Sequence, residues 1–118
     1  MTALTSNMKM ITYSDFQKID IRVGTIIKAE IFKEAKQPAF KMSIDFGPLG
    51  VKKTSAQITD LYQPEHIIGM QVTAVVNFPP KQIANIMSEC LVLGIVDANQ
   101  KVTLLNPNTA VENGLKIS

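Results

Sequence analysis

The chain has 118 residues, of which 46% are hydrophobic and 19% charged, which suits one compact core and excludes a disordered chain. A net charge of +2 is too small by itself to point to nucleic acid, and the single cysteine, Cys90, excludes an internal disulfide or a cysteine-cluster metal site. The longest nearly apolar stretch, 67–76, is interrupted by Gln71 and falls short of the ~20 residues a membrane span needs. The opening MTALTSNMKM lacks a basic segment followed by an apolar core. The expectation is a single domain over 1–118, cytoplasmic, without membrane insertion.

In chain order, Ser14 and Asp15 are placed to cap a short helix, with Phe16 turned inward. From Ile19 to Ile31 apolar residues alternate with Asp20, Arg22, Gly24, Lys28 and Glu30. This period of two predicts a long strand, with Gly24 marking a bulge or bend. Lys33 to Pro38 is a polar loop. Phe40, Met42, Ile44 and Phe46 alternate with polar residues and predict a second strand. Gly47-Pro-Leu-Gly50 turns the chain into a third, Val51 to Ile58. Thr59 to Glu65 reads as a short helical turn ending at Pro64. Met70 to Asn77 is a fourth strand with Val72, Ala74 and Val76 inward. Pro79 to Ser88 reads as loop. Cys90 to Val96, apolar at both parities, predicts a fifth strand buried on both faces. Val102 to Leu105 follows a turn at 97–100.

Five strands with one short helix between the third and fourth, and no long helix, predict an all-β closed barrel of the oligonucleotide/oligosaccharide-binding (OB) arrangement. An SH3-like barrel is the alternative, but it usually lacks that helix. The segments 1–11 and 97–118 are terminal extensions. Val102, Leu104, Leu105, Val111, Leu115 and Ile117 have little room in a barrel complete by Val96, so 97–118 is expected in a homodimer interface.

Catalytic chemistry is poorly served. The one histidine, His66, follows Pro64-Glu65, and Ser88-Glu89 has no orienting imidazole nearby. Neither a phosphate loop nor a metal-ligand spacing is visible, so no enzyme activity and no cofactor are expected. The lysines say more. Between Lys28 and Lys53, six lysines (28, 33, 36, 41, 52 and 53) face three carboxylates. Lys36, Lys41, Lys52 and Lys53 belong to a predicted hairpin whose surface would suit phosphate, or simply water. Asn77, Lys81 and Gln82 surround Phe78, which could stack on a base, line a peptide groove with Ile83, Ile86 and Met87, or plug the barrel end.

Three stretches, DFQKIDIRVGTI (15–26), NFPPKQI (77–83) and MSE (87–89), resemble the tRNA-binding domain family. EAKQPAFKMSIDFGPLGVKKTSAQIT (34–59) and SECLVLG (88–94) are similar to its CsaA-type subgroup, described as secretion chaperones. The resemblance covers 12–118 and implies an OB fold and a homodimer. In the wider family the corner reads Asn-x-Pro-Arg-Lys and ends Ser-Glu-Gly-Met. Asn77, Pro79, Ser88 and Glu89 match, whereas Pro80-Lys81 and Cys90-Leu91 depart in the manner of the subgroup. The resemblance implies an ATP-independent chaperone for unfolded or preprotein polypeptide, contacted by Phe78, Ile83, Ile86 and Met87, that assists export. The alternative it implies is tRNA binding through Lys36, Lys41, Lys52, Lys53, Asn77, Lys81, Ser88 and Glu89.

Overall fold

The computed structural model describes residues 8–118. The reading of residues 1–7 as part of an N-terminal segment lies outside them. Helix α1 (Tyr13–Gln17) opens on Thr12, not Ser14. Thr12 and Asp15 form a reciprocal capping box, in which each side chain accepts from the other residue's backbone N–H. Phe16 is only half-buried and meets the Tyr13 ring at 6.4 Å.

Five strands form the main sheet: β1 (Ile21–Ile31), β2 (Phe40–Asp45), β3 (Val51–Ala56), β4 (Gln71–Val75) and β7 (Leu91–Val92), in the order β3-β2-β1-β4-β7. Two hairpins flank it, β5 (Lys81–Ile83) with β6 (Ile86–Ser88), and β8 (Gly94–Val96) with β9 (Val102–Leu104). Every pairing is antiparallel, and a short helix, α2 (Pro64–Ile67), lies between β3 and β4. This is the OB arrangement. The outer strands β3 and β7 approach each other and nearly close the barrel.

The long first strand serves both halves of the barrel. Ile21–Thr25 pairs with β4, and Thr25–Ile31 pairs with β2. The register shifts between Ile26 and Lys28, so the bulge lies at Ile27 and not at Gly24. Gly24 has a different reason to be glycine: a Cβ there would lie 2.6 Å from Ile44 Cγ2 and 2.8 Å from the Phe46 ring. Gly24 and Ile26 face the barrel core, the bulged Ile27 is exposed, and past the bulge Ala29 comes opposite the buried Met42. Phe40, Met42, Ile44, Phe46, Val72 and Ala74 are buried as their alternation requires.

Three further expectations need correction. Pro64 begins α2 rather than ending a turn, because its missing N–H costs nothing at the first helical position. The stretch 79–88 is a hairpin rather than loop. Its turn, Ala84-Asn85, carries no Asn-Gly signature, and Ala84 takes φ 49°. The fifth strand is not buried on both faces. It breaks between β7 and β8, leaving Leu91, Ile95 and Val96 exposed. The C-terminal residues divide: Leu104 joins the core, whereas Leu105, Val111 and Leu115 stay exposed.

Candidate functional site

Asn77 ends the fourth strand's path and fastens it to the start of the first. Its Nδ2 donates to Lys18 O (2.7 Å), and its Oδ1 accepts from Asp20 N–H (3.0 Å). Both ends of the amide are thereby used. Phe78 follows, held in an extended backbone by Pro79. It is 55% exposed, so it does not plug the barrel.

Phe78, Pro79 and Pro80 form one wall of an open groove of about 740 Å³. Lys81, Gln82 and Ile83 of β5, Ser88 of β6, and Leu91 of β7 line it further, and Ser55 and Gln57 face them from the end of β3. The groove therefore lies at the seam where the barrel nearly closes. It brings together Phe78, Ile83, Lys81 and Ser88 from the residues singled out in the sequence. Ile86 turns elsewhere, to a smaller cavity of about 170 Å³ with Lys28, Lys41 and Lys53. Met87 is exposed and lines neither.

Ser88 and Glu89 fasten the seam. Glu89 N–H donates to Lys53 O (2.8 Å), and Lys53 N–H donates to Glu89 Oε1 (2.9 Å). The Thr54 hydroxyl lies 3.2 Å from Ser88 Oγ and donates to Cys90 O (2.8 Å). The Cys90 carbonyl ends this chain, and the Cys90 thiol is buried. Loss of hydration there pushes its pKa up from 9.0 to about 11, with the Thr54 hydrogen bond opposing. It is a protonated packing group rather than a nucleophile at neutral pH.

The lysines do not share one surface. Lys52 pairs with the fully buried Ile44, and Lys53 pairs with Ser43, so the neighbours occupy opposite faces of β3. Register places Lys28, Ser43 and Lys53 in one row across β1, β2 and β3. Lys28 and Lys53 form no ion pair among the described residues. Lys41, in the next row, lies 3.5 Å from Glu30, 3.9 Å from Glu34 and 5.5 Å from the centre of the Phe32 ring. Lys36 stands apart in the β1–β2 loop beside a third cavity, of about 480 Å³. Sequence reading counted Lys28 but did not place it, and it missed Ser43, Ser55 and Gln57. Only the strand register could have found them. Among the described residues, no group of three or more His, Cys, Asp and Glu could hold a metal ion, and no helix is long and apolar enough to cross a membrane.

Residues 21–116 match the model of the putative tRNA-binding domain family. The chain belongs to that family. Chaperone CsaA from Bacillus anthracis is 54% identical, with a TM-score of 0.89, over 93% of this chain and 100% of that one. The CsaA chaperone protein from Picrophilus torridus is also 54% identical, with a TM-score of 0.86, over 92% of this chain and 100% of that one. The resemblance to the CsaA-like members of the family therefore extends through the fold. Methionine–tRNA ligase from Methanococcoides burtonii is 35% identical over 105 residues, 89% of this chain. The chain spans about 15% of the length of the curated ligases it matches, so the likeness is to their tRNA-binding part.

Proposed function

We propose that the protein is a CsaA-like chaperone that binds unfolded or preprotein polypeptide in the cytoplasm, without ATP, and assists export. It acts as a homodimer with no catalytic step. The observation that carries this reading is the groove beside Phe78, in a chain 54% identical along its length to two CsaA chaperones. Exposed Phe78 and half-buried Ile83, set on a proline-stiffened corner, offer apolar contact already ordered before binding. Lys81 at the same wall supplies a cation for acidic side chains. The test is suppression of aggregation of a chemically denatured protein diluted into buffer, with and without Phe78→Ala. The wild type suppresses it and the variant does so less. A wild-type chain with no effect overturns the reading.

A second reading, tRNA binding, is favoured by the family match and by the row Lys28–Ser43–Lys53. Two ammonium groups flanking a hydroxyl, in a cavity that the Lys41–Glu30 pair and Ile86 also line, suit a phosphate backbone. The row and the groove lie to either side of the β5–β6 hairpin, so both ligands could be held by one molecule.

A further inference from the structure

The seam between β3 and β7 is closed at one end and open at the other. At the closed end Lys53 N–H donates to the Glu89 carboxylate and Lys53 C=O accepts from Glu89 N–H. Lys53 therefore turns its backbone groups away from β2, and strand alternation turns those of Ser55 the same way. Thr54 and Ala56, between and beyond, direct theirs to Met42 and Phe40 of β2. Beyond Glu89 the chain through Cys90 and Leu91 leaves β3 to pair with β4, and the groove opens in the gap. Among the described residues, Ser55 N–H has no partner, and Ser55 C=O receives only a long 3.4 Å contact from the Thr54 hydroxyl. Gln57, one residue past the end of β3, lines the same groove wall two residues on.

We propose that this free edge of β3, at Ser55–Gln57, is a strand-addition site for extended polypeptide. The inference rests on the proposed chaperone function and specifies how the groove holds its ligand. The donor and acceptor of Ser55 match the backbone of another strand, and Gln57 would repeat them wherever the chain stays extended past β3. They recognise no particular side chain, as a holder of varied unfolded chains requires. Alternate side chains of the added strand would enter the groove towards Phe78, Ile83 and Leu91. Charge narrows the occupant further. Lys81 is the one charged side chain that lines the groove among the described residues, whereas Lys53 lines the smaller cavity with Lys28 and Ile86. An apolar extended segment flanked by acidic residues fits best.

The test uses the whole chain and two probes: reduced, carboxymethylated α-lactalbumin, and the blocked peptide Asp-Val-Thr-Val-Thr-Val-Asp. Amide hydrogen exchange is followed by NMR. On saturation with either probe, the Ser55 and Gln57 amides become protected. Those of Thr54 and Ala56, already in the β2 ladder, change little. Two further peptides carry a single backbone N-methyl group, on the central Val or on an adjacent Thr. Only one strand edge faces β3, so one methylated peptide loses about tenfold or more in affinity and the other binds like the parent. Binding of a probe without protection of Ser55, or equal behaviour of the two methylated peptides, overturns the inference and leaves the chaperone reading standing. Failure of both probes to bind, with no suppression of aggregation, overturns both. Protection of Ser55 by polyuridylate but by neither probe assigns the edge to nucleic acid and overturns the inference.

Discussion

Neighbouring side chains at the corner have opposite duties. Asn77 spends its amide on the backbone of Lys18 and Asp20, whereas Phe78 is exposed beside the groove. Asn77→Ala should cost about 1–2 kcal/mol of stability through its two lost hydrogen bonds. Phe78→Ala should cost well under the ~3–5 kcal/mol of a buried phenylalanine, yet weaken polypeptide binding. Urea unfolding of both variants, alongside binding of carboxymethylated α-lactalbumin, separates the two roles. Cys90 makes a prediction in pH. Burial disfavours its thiolate, so between pH 9.0 and about 11 the unfolded chain loses a proton that the folded chain keeps. Stability is therefore unaffected below that window and falls as pH rises through it, by about 2–3 kcal/mol for this group. Melting temperatures from pH 8 to 11 should fall less steeply for Cys90→Ala than for the wild type.

Among the strands, β1 carries the heaviest constraint, because it pairs with β4 along one half and with β2 along the other. At Gly24 the core side chains of Ile44 and Phe46 press against the backbone. Gly24→Ala should destabilise by ~1–3 kcal/mol through overpacking, since both neighbours are fully buried and have little space to yield. Denaturant midpoints measure this directly, and an unchanged midpoint would show that the two side chains can shift. The β1–β2–β3 face makes a second prediction. If Lys28 and Lys53 each neutralise a phosphate, changing both to Ala should reduce the slope of log affinity for tRNA against log salt by about 1.8. Lys52→Ala, on the other face of β3, should leave that slope nearly unchanged.

For the molecule as a whole, an apolar surface beside the C-terminal segment is left uncovered by the described residues. The C-terminal segment runs antiparallel beside β1 there, with Gly114 N–H donating to Val23 O, Val23 N–H to Leu115 O, and Ile117 N–H to Ile21 O. It buries Val23 and still leaves Leu105, Val111 and Leu115 exposed around a cavity of about 550 Å³. Ile95 and Val96 of the β8–β9 hairpin are also more than half exposed. This surface suits the proposed homodimer, since a second copy would remove it from water. Sedimentation at micromolar concentration should show a dimer for the wild type and a monomer for Leu115→Glu combined with Val96→Asp. A wild-type monomer would remove this surface from the interface.

The amino-acid order alone determined the barrel. A period of two at Phe40–Phe46 and at Val72–Val76 had one way to bury its apolar side, and five strands with a single short helix left few ways to close. It also marked the corner at Asn77–Pro80, because prolines restrict the backbone wherever they stand. What it left undecided were relations between strands. That Lys28, Ser43 and Lys53 share a row follows from register, which a single strand does not carry. That Phe78 is exposed follows from where β5 and β6 fold back, and their Ala84-Asn85 turn gives no local sign. The free edge at Ser55 exists because Glu89 closes the seam only as far as Lys53. Hydrogen bonds between residues 36 apart decide it, and no local pattern of side chains encodes them.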